Sequence, residues 1–392
     1  MASTSSDESL KLFAITAPGL EPVCAAEMAA LGIAGTAEPG GVAWTGSVDE
    51  LYAANLRLRT ASRVLVRVAE FNARSFIELE RHARKLPWER WVRKGGAVRL
   101  RVTSKKSKLY HEGAIAQRML AWIGERVGGL GATEAEKAAA DETEETPGAA
   151  QLFVVRAVRD GFTVSADASG ALLHLRGYRQ AVAKAPLRET LAAAMLLGCG
   201  WDGTAPLLDP MCGSGTIAIE GALIARGIAP GLASADGQPR AYAFQQWPGF
   251  DADAWARVVD AARAEARPSA GVPILGSDRD AGAIAAAAAN AERAGVAADV
   301  ELSVRAVSAV EPPAGTGLMI ANPPYGVRVG EGDGLRNLYA ALGRTARERA
   351  PGWTLALLSA DRKLEAQAGV PFREVLRTSN GGIPVRLVAG EV

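Results

Sequence analysis

The chain has 392 residues, 48% hydrophobic and 22% charged, with a net charge of +1. At roughly 150 residues per domain, that length predicts two or three globular domains with ample core. No run approaches the ~18 to 20 apolar residues of a membrane helix, and Met1–Glu8 lacks the basic start and apolar core of a secretory signal. Cys24, Cys199 and Cys212 show no metal-ligand spacing, so the expectation is a cytoplasmic protein with reduced thiols, no metal and no membrane partner.

In chain order, residues 1 to about 10 are polar and Ser-rich. Lys11–Thr16 reads as a strand, Leu20–Leu31 as an amphipathic helix closed by Gly32, Ala43–Thr45 as a short strand and Val48–Asn55 as a helix. Val64–Phe71 alternates as a strand does, and Ser75 caps a helix through Lys85. Ala97–Thr103 alternates apolar and basic residues, which puts Arg99 and Arg101 on one face of a strand. The turn after it carries Lys105, Lys106, Lys108 and Tyr110, and a helix follows over 111–127. Between Asn55 and Arg118 stand seventeen Lys and Arg against five acids, a local net charge of +12. Such an excess suits a phosphate-binding surface, with Tyr110 placed to stack on a base.

Residues 128–150 hold six acids among Ala and Gly, and they read as a flexible loop within the first half. Strands at 151–157 and 162–167 close that half. Arg176, Tyr178 and Arg179 lie in the connection that follows, where linker and RNA contact are equal readings.

Three strand ends organise the rest. Pro206-Leu-Leu-Asp209 runs through Pro210-Met-Cys-Gly-Ser-Gly-Thr216 into a helix, the strand, Gly-rich turn and helix of a nucleotide-binding corner. Val272–Asp280 is a second short apolar run ending in acid. Asp278, or else Asp280, is placed to accept hydrogen bonds from ribose hydroxyls. Gly317–Tyr325 ends a further apolar strand in Asn322-Pro323-Pro324-Tyr325. Residues 230–268 read as an insertion after the first helix, in which Trp247 and Phe250 pack as satellite core. A third strand is expected over 300–306, a helix over 335–348 and a strand over 353–358. Asn380-Gly-Gly382 lies in a hairpin joining the last two strands.

On these stretches, with Ala185–Leu196 ahead of the first strand and Asn322-Pro-Pro-Tyr-Gly-Val-Arg328, the chain from about Ala185 to Val392 resembles class I S-adenosylmethionine-dependent methyltransferases acting on exocyclic nucleobase amines. With the front half included it resembles the THUMP-domain 23S rRNA guanine-N2 methyltransferases. The resemblance implies an α/β fold: a Rossmann-like seven-stranded methyltransferase domain preceded by an α/β, THUMP-containing RNA-binding domain. The boundaries it suggests are 1–55 for an N-terminal ferredoxin-like segment, 56–170 for the THUMP-like domain, 171–184 for a linker and 185–392 for the catalytic domain. It further implies that Asp209, Cys212, Gly213, Ser214, Gly215, Thr216 and Asp278 line the S-adenosylmethionine site, with Thr190 closing over it. The family places an acid at the end of the third strand to meet the adenine amine. Ala306 stands there in this chain, so a backbone group or Ser308 takes that place.

An exocyclic amine is a poor nucleophile because its lone pair is delocalised into the ring. Asn322 and the carbonyl of Pro323 can accept its two hydrogens, the prolines hold that pair rigid, and Tyr325 offers a π face to a base drawn out of its helix. No base is needed before attack, and His82, His111 and His174 all lie in the front half as structural residues. Asn-Pro-Pro-Tyr alone does not separate guanine from adenine; the resemblance implies transfer to guanine N2, in 23S rRNA, with the basic front half holding RNA. A tRNA guanine or an adenine N6 amine is the alternative substrate, and a non-catalytic RNA-binding assembly factor is the alternative class.

Overall fold

A computed structural model describes residues 9–136, 150–180, 187–325 and 332–392. Its front half comprises β1 (Leu10–Ile15), α1 (Glu21–Ala30), β2 (Thr36–Glu38), β3 (Gly41–Gly46), α2 (Val48–Arg57), β4 (Arg63–Asn72), α3 (Phe76–Ala83), β5 (Val98–Lys105), α4 (Glu112–Val127), β6 (Thr133–Glu136), β7 (Gln151–Val158) and β8 (Gly161–Asp167). Ser47 and Ser75 cap α2 and α3, each accepting from the backbone N–H three residues on. The eight strands form one continuous sheet in the order β2-β3-β1-β4-β8-β7-β5-β6. The 55/56 boundary expected from sequence falls inside α2, and β1 pairs directly with β4.

The acidic stretch differs from its reading as a loop. Thr133–Glu136 adds a parallel edge strand to β5, with Glu134 in register beside Arg99. Opposite charges on neighbouring strands favour that pairing, although the tetrapeptide Thr-Glu-Ala-Glu carries no apolar alternation to announce it. The remainder of that stretch, 137–149, lies outside the described residues, as does 181–186 of the expected linker.

The second half comprises α5 (Glu189–Gly198), β9 (Leu207–Asp209), α6 (Thr216–Ala225), α7 (Ala252–Ala264), β10 (Ile274–Asp278), α8 (Ala281–Arg293), β11 (Glu301–Val304), β12 (Leu318–Ala321), α9 (Gly332–Arg349), β13 (Thr354–Ser359), α10 (Arg362–Gln367), β14 (Arg373–Asn380) and β15 (Ile383–Glu391). Its seven strands are ordered β11-β10-β9-β12-β13-β15-β14, parallel except for β15, which runs antiparallel to both of its neighbours. The winding reverses between β9 and β12. A crevice therefore opens at the carboxyl ends of those strands, where Asp209 and Asn322 stand. The short apolar runs form central strands because both sheet faces are covered by helices and every side chain is buried.

The insertion after α6 is no satellite. Phe244 is fully buried, and Trp247 and Trp255 join the same apolar core as Tyr52 of α2 and Trp91, against which Phe250 also packs. Phe244 stacks on Tyr52 at 4.4 Å and meets Trp255 edge-on at 5.2 Å. Trp247 Nε1 donates to Gln151 Oε1 at 2.6 Å, and Arg57 holds Glu265 through two hydrogen bonds of 2.7 and 2.6 Å. A segment of the second half thus completes the core of the first. Phe244→Ala is expected to cost about 3 to 5 kcal/mol in denaturant unfolding, the usual loss for a buried aromatic. A loss below about 1 kcal/mol would show that the insertion rests loosely on the front half.

Candidate active site

Local geometry makes the glycine turn rigid. Gly213 and Gly215 have φ of +51° and +85°, which residues with a Cβ rarely adopt. At Gly215 a Cβ would stand 2.9 Å from Ala287 Cβ, so α6 and α8 approach closely only because that position is glycine. At Gly213, by contrast, no described atom lies within 4 Å of a Cβ position, leaving open space above the turn. Gly213 N–H donates to Asp278 Oδ2 at 3.1 Å, and Cys212 N–H donates to the Ser277 carbonyl at 2.9 Å. The sequence left Asp278 and Asp280 open. Here Asp278 sits on the turn, and Asp280 caps α8 by accepting from Gly282 N–H at 2.8 Å.

Asp209 is buried and accepts from Met211 N–H at 3.1 Å. Burial raises its carboxyl to about 7 against the pull of that N–H, and the neighbouring Asp278 charge raises it further. Two carboxylates around an open glycine turn suit a ligand with a cationic amino-acid end and sugar hydroxyls. Burial pushes the Cys212 thiol up, so this sulfur packs in the turn and is no nucleophile. Thr190 lies in the first turn of α5, buried against neighbouring helices, and Thr216 opens α6. The third strand is shorter than expected: β11 ends at Val304, and Ala306 is exposed two residues beyond it.

Sequence reasoning missed what fixes the turn from behind. Asn290, fully buried on α8, donates through Nδ2 to the Ser214 carbonyl at 2.9 Å. Its Oδ1 accepts from Arg293, whose Nε donates to the Tyr178 carbonyl at 2.7 Å. Tyr178 in turn donates its hydroxyl to Glu220 of α6 at 3.1 Å, and Arg176 lies 3.4 Å from the same oxygen. Arg176 also donates to the Arg59 carbonyl of the front half at 2.6 Å. Arg176 and Tyr178 are buried, and Arg179 bonds Glu189 at 3.1 Å, so the linker alternative holds for all three. Asn290→Ala is expected to weaken S-adenosylmethionine binding about tenfold by calorimetry, the worth of one buried hydrogen bond. Affinity within about twofold of wild type would show that the turn keeps its shape unaided.

On the other side of the crevice, Asn322 follows β12 directly, and Pro323 behind it is buried. The Asn322 side-chain oxygen is buried with no hydrogen-bond partner among the described residues. Tyr325 packs part-buried against the catalytic core, and its hydroxyl oxygen accepts from Asn380 Nδ2 at 2.6 Å. Asn380 closes β14 ahead of Gly381 and Gly382, whose φ of +56° and +79° make the expected tight hairpin. The aromatic ring is thus braced by the hairpin. Gly326–Arg328, part of the sequence motif, lie outside the described residues.

The six basic-face residues separate into two groups. Lys105, Lys106 and Lys108 are exposed on a turn whose backbone is held by Asp160 (from Lys108 N–H, 2.7 Å) and whose Ser107 hydroxyl accepts from Asp160 N–H at 3.0 Å. Tyr110 is 67% exposed beside them, and Arg159 of the β7–β8 turn joins the group. Arg99 and Arg101 are half-buried on β5, and their charges act on buried Asp167. Much of the local +12 is likewise spent internally: Arg57 pairs with Glu265, Arg63 with Asp167, Arg67 with Glu38 and Arg84 with Glu125. The opposing acids lie outside the sequence window in which the excess was counted.

Residues 176–386 match the family model described as RMKL-like, methyltransferase domain, and residues 11–65 match the RlmL ferredoxin-like domain. The chain is 33% identical to "Putative RNA methyltransferase slr0064" of Synechocystis over 97% of its own length and 96% of that protein. It is 36% identical to the ribosomal RNA large subunit methyltransferase K/L of Syntrophotalea carbinolica over 97% of its own length, but spans only 53% of that relative. The crystal structure of SMU.472 complexed with SAH superposes with a TM-score of 0.85 at 29% identity, covering 98% of both chains. S-adenosylmethionine is the cofactor these likenesses carry, and the open glycine turn with its two carboxylates fits it. From the fold, the turn and these matches together, the chain belongs to the family of RMKL-like methyltransferases with an RlmL ferredoxin-like domain in front.

Proposed function

We propose that the protein transfers a methyl group to the exocyclic N2 amine of a guanine in 23S rRNA. The single observation that carries the reading is the buried Asn322 oxygen at the switch point of the sheet, without a hydrogen-bond partner among the described residues. A buried acceptor without a donor costs roughly 1 to 3 kcal/mol, and an amine N–H of an extruded base would satisfy it. With the Pro323 carbonyl accepting the second hydrogen, the nitrogen lone pair is directed out of the ring plane. Tyr325, braced by Asn380, would hold the base by its π face.

The bound cofactor supplies an electrophilic methyl on a sulfonium. With the cofactor held there, the amine nitrogen would take the methyl as its bond to sulfur breaks, and the spare proton would leave that nitrogen for water, the Asn322 oxygen only accepting its hydrogen bond. No protein base is required: His174 is buried in the linker, where burial and nearby arginines push it down to about 3. Alignment of amine and methyl then does most of the work. Asp209, Gly213, Ser214, Gly215 and Asp278 would hold the cofactor, and Lys105, Lys106, Lys108 and Tyr110 would hold RNA backbone and a stacked base. The rRNA assignment draws on the names of the K/L relatives, and the guanine on the family resemblance of the Asn-Pro-Pro-Tyr motif.

Asn322→Ala is expected to lower turnover by ~10² or more while leaving cofactor affinity within a few-fold, because the lost group orients the amine and not the cofactor. Radiolabelled methyl transfer to RNA, with calorimetry of cofactor binding, reads both quantities. A variant that keeps more than about a tenth of wild-type turnover would remove Asn322 from this role.

A further inference from the structure

We infer that Arg362 and Lys363, which begin α10 just past the carboxyl end of β13, form a second RNA contact that grips the phosphate backbone beside the target nucleotide. The inference rests on the RNA methyl-transfer reading and adds a surface to it. β13 is the direct neighbour of β12, so the loop that follows it opens on the same rim as Asn322, about 4.8 Å per strand away. The hairpin carrying Asn380 bounds that rim on the far side, since Ser359 at the end of β13 pairs with Arg386 near the start of β15.

Charge is what singles out the start of α10 beyond that loop. Among the described residues of 187–392, the exposed cations without a hydrogen-bond or ion-pair partner are Arg279, Arg344, Arg362, Lys363 and Arg373. Arg279 stands between Asp278 and Asp280 on the cofactor side. Arg344 lies along α9, and Arg373 opens β14 at the end away from the hairpin. Among the described residues, only Arg362 and Lys363 form an adjacent free pair on the substrate side. The acids around them are engaged: Asp361 accepts the Lys363 backbone N–H at 2.7 Å, Glu365 is held by Arg386, and Glu374 by Arg377 at 2.9 Å. A base drawn into the crevice brings its own phosphates to the rim, and two unspent cations there would fix the register of the strand without reading sequence. The front-half lysines would then hold a distant part of the same RNA.

The test compares full-length wild type, the R362Q/K363Q double variant and R344Q, an equal type of charge change away from the rim. Affinity for a fluorescently labelled 23S rRNA transcript fragment is measured over a salt series, with calorimetry of cofactor binding alongside. The double variant should lose about tenfold or more in RNA affinity and flatten the salt slope by roughly 1.4 to 1.8, as expected for two phosphate contacts. R344Q should stay within about twofold, and cofactor affinity should not change in either variant. RNA affinity retained in the double variant overturns the inference, as does an equal loss in R344Q. Equally tight binding of duplex DNA of the same length would overturn the assignment to RNA. Wild-type binding of RNA without methyl transfer would instead sink the functional reading and leave this surface standing.

Discussion

The hydrogen-bonded ring around Tyr178 ties the molecule together. Its carbonyl is held by Arg293, which orients Asn290 against the glycine turn, while its hydroxyl meets Glu220 on the helix that starts from that same turn. Arg176, two residues earlier, reaches both Glu220 and the front half. Arg176, Tyr178, Glu220 and Asn290 are buried, so losing one of them would strand polar groups in a low-dielectric interior at a cost of roughly 1 to 3 kcal/mol each. The linker is therefore a fastening between the two halves and the cofactor turn.

That rigidity explains how strain at the reacting end is tolerated. Burial pushes the Asp209 carboxyl up, and the Asn322 oxygen has no donor among the described residues. Both are unfavourable in isolation. They persist because β9 and β12 lie side by side in the middle of a fully covered sheet, and because the insertion locks the second half into the core of the first. Preorganised groups of this kind do not have to rearrange when the reaction occurs.

Much of this was legible in the sequence for a physical reason. Central parallel strands are short apolar runs, and their carboxyl ends announce themselves where such a run stops at Asp209, Asp278 or Asn322. The Asn-Gly-Gly hairpin was equally plain, since only glycine readily adopts its two left-handed positions. Interactions that join distant segments left no such trace. Asn290 and Arg293 look like ordinary polar residues of an Ala-rich helix, and the Glu134 strand looks like a solvated tract. The charge of the front half was overcounted for the same reason, because Glu265, Asp167 and Glu38 arrive from elsewhere in the chain.

The account turns on an amine hydrogen reaching the Asn322 oxygen. The most direct test is mass spectrometry of nucleosides from unmodified 23S rRNA treated with the purified protein and S-adenosylmethionine. N2-methylguanosine, absent with the Asn322→Ala protein, is the predicted product. The appearance of 7-methylguanosine would contradict the account, because guanine N7 carries no hydrogen for that acceptor, and N6-methyladenosine would contradict the choice of base.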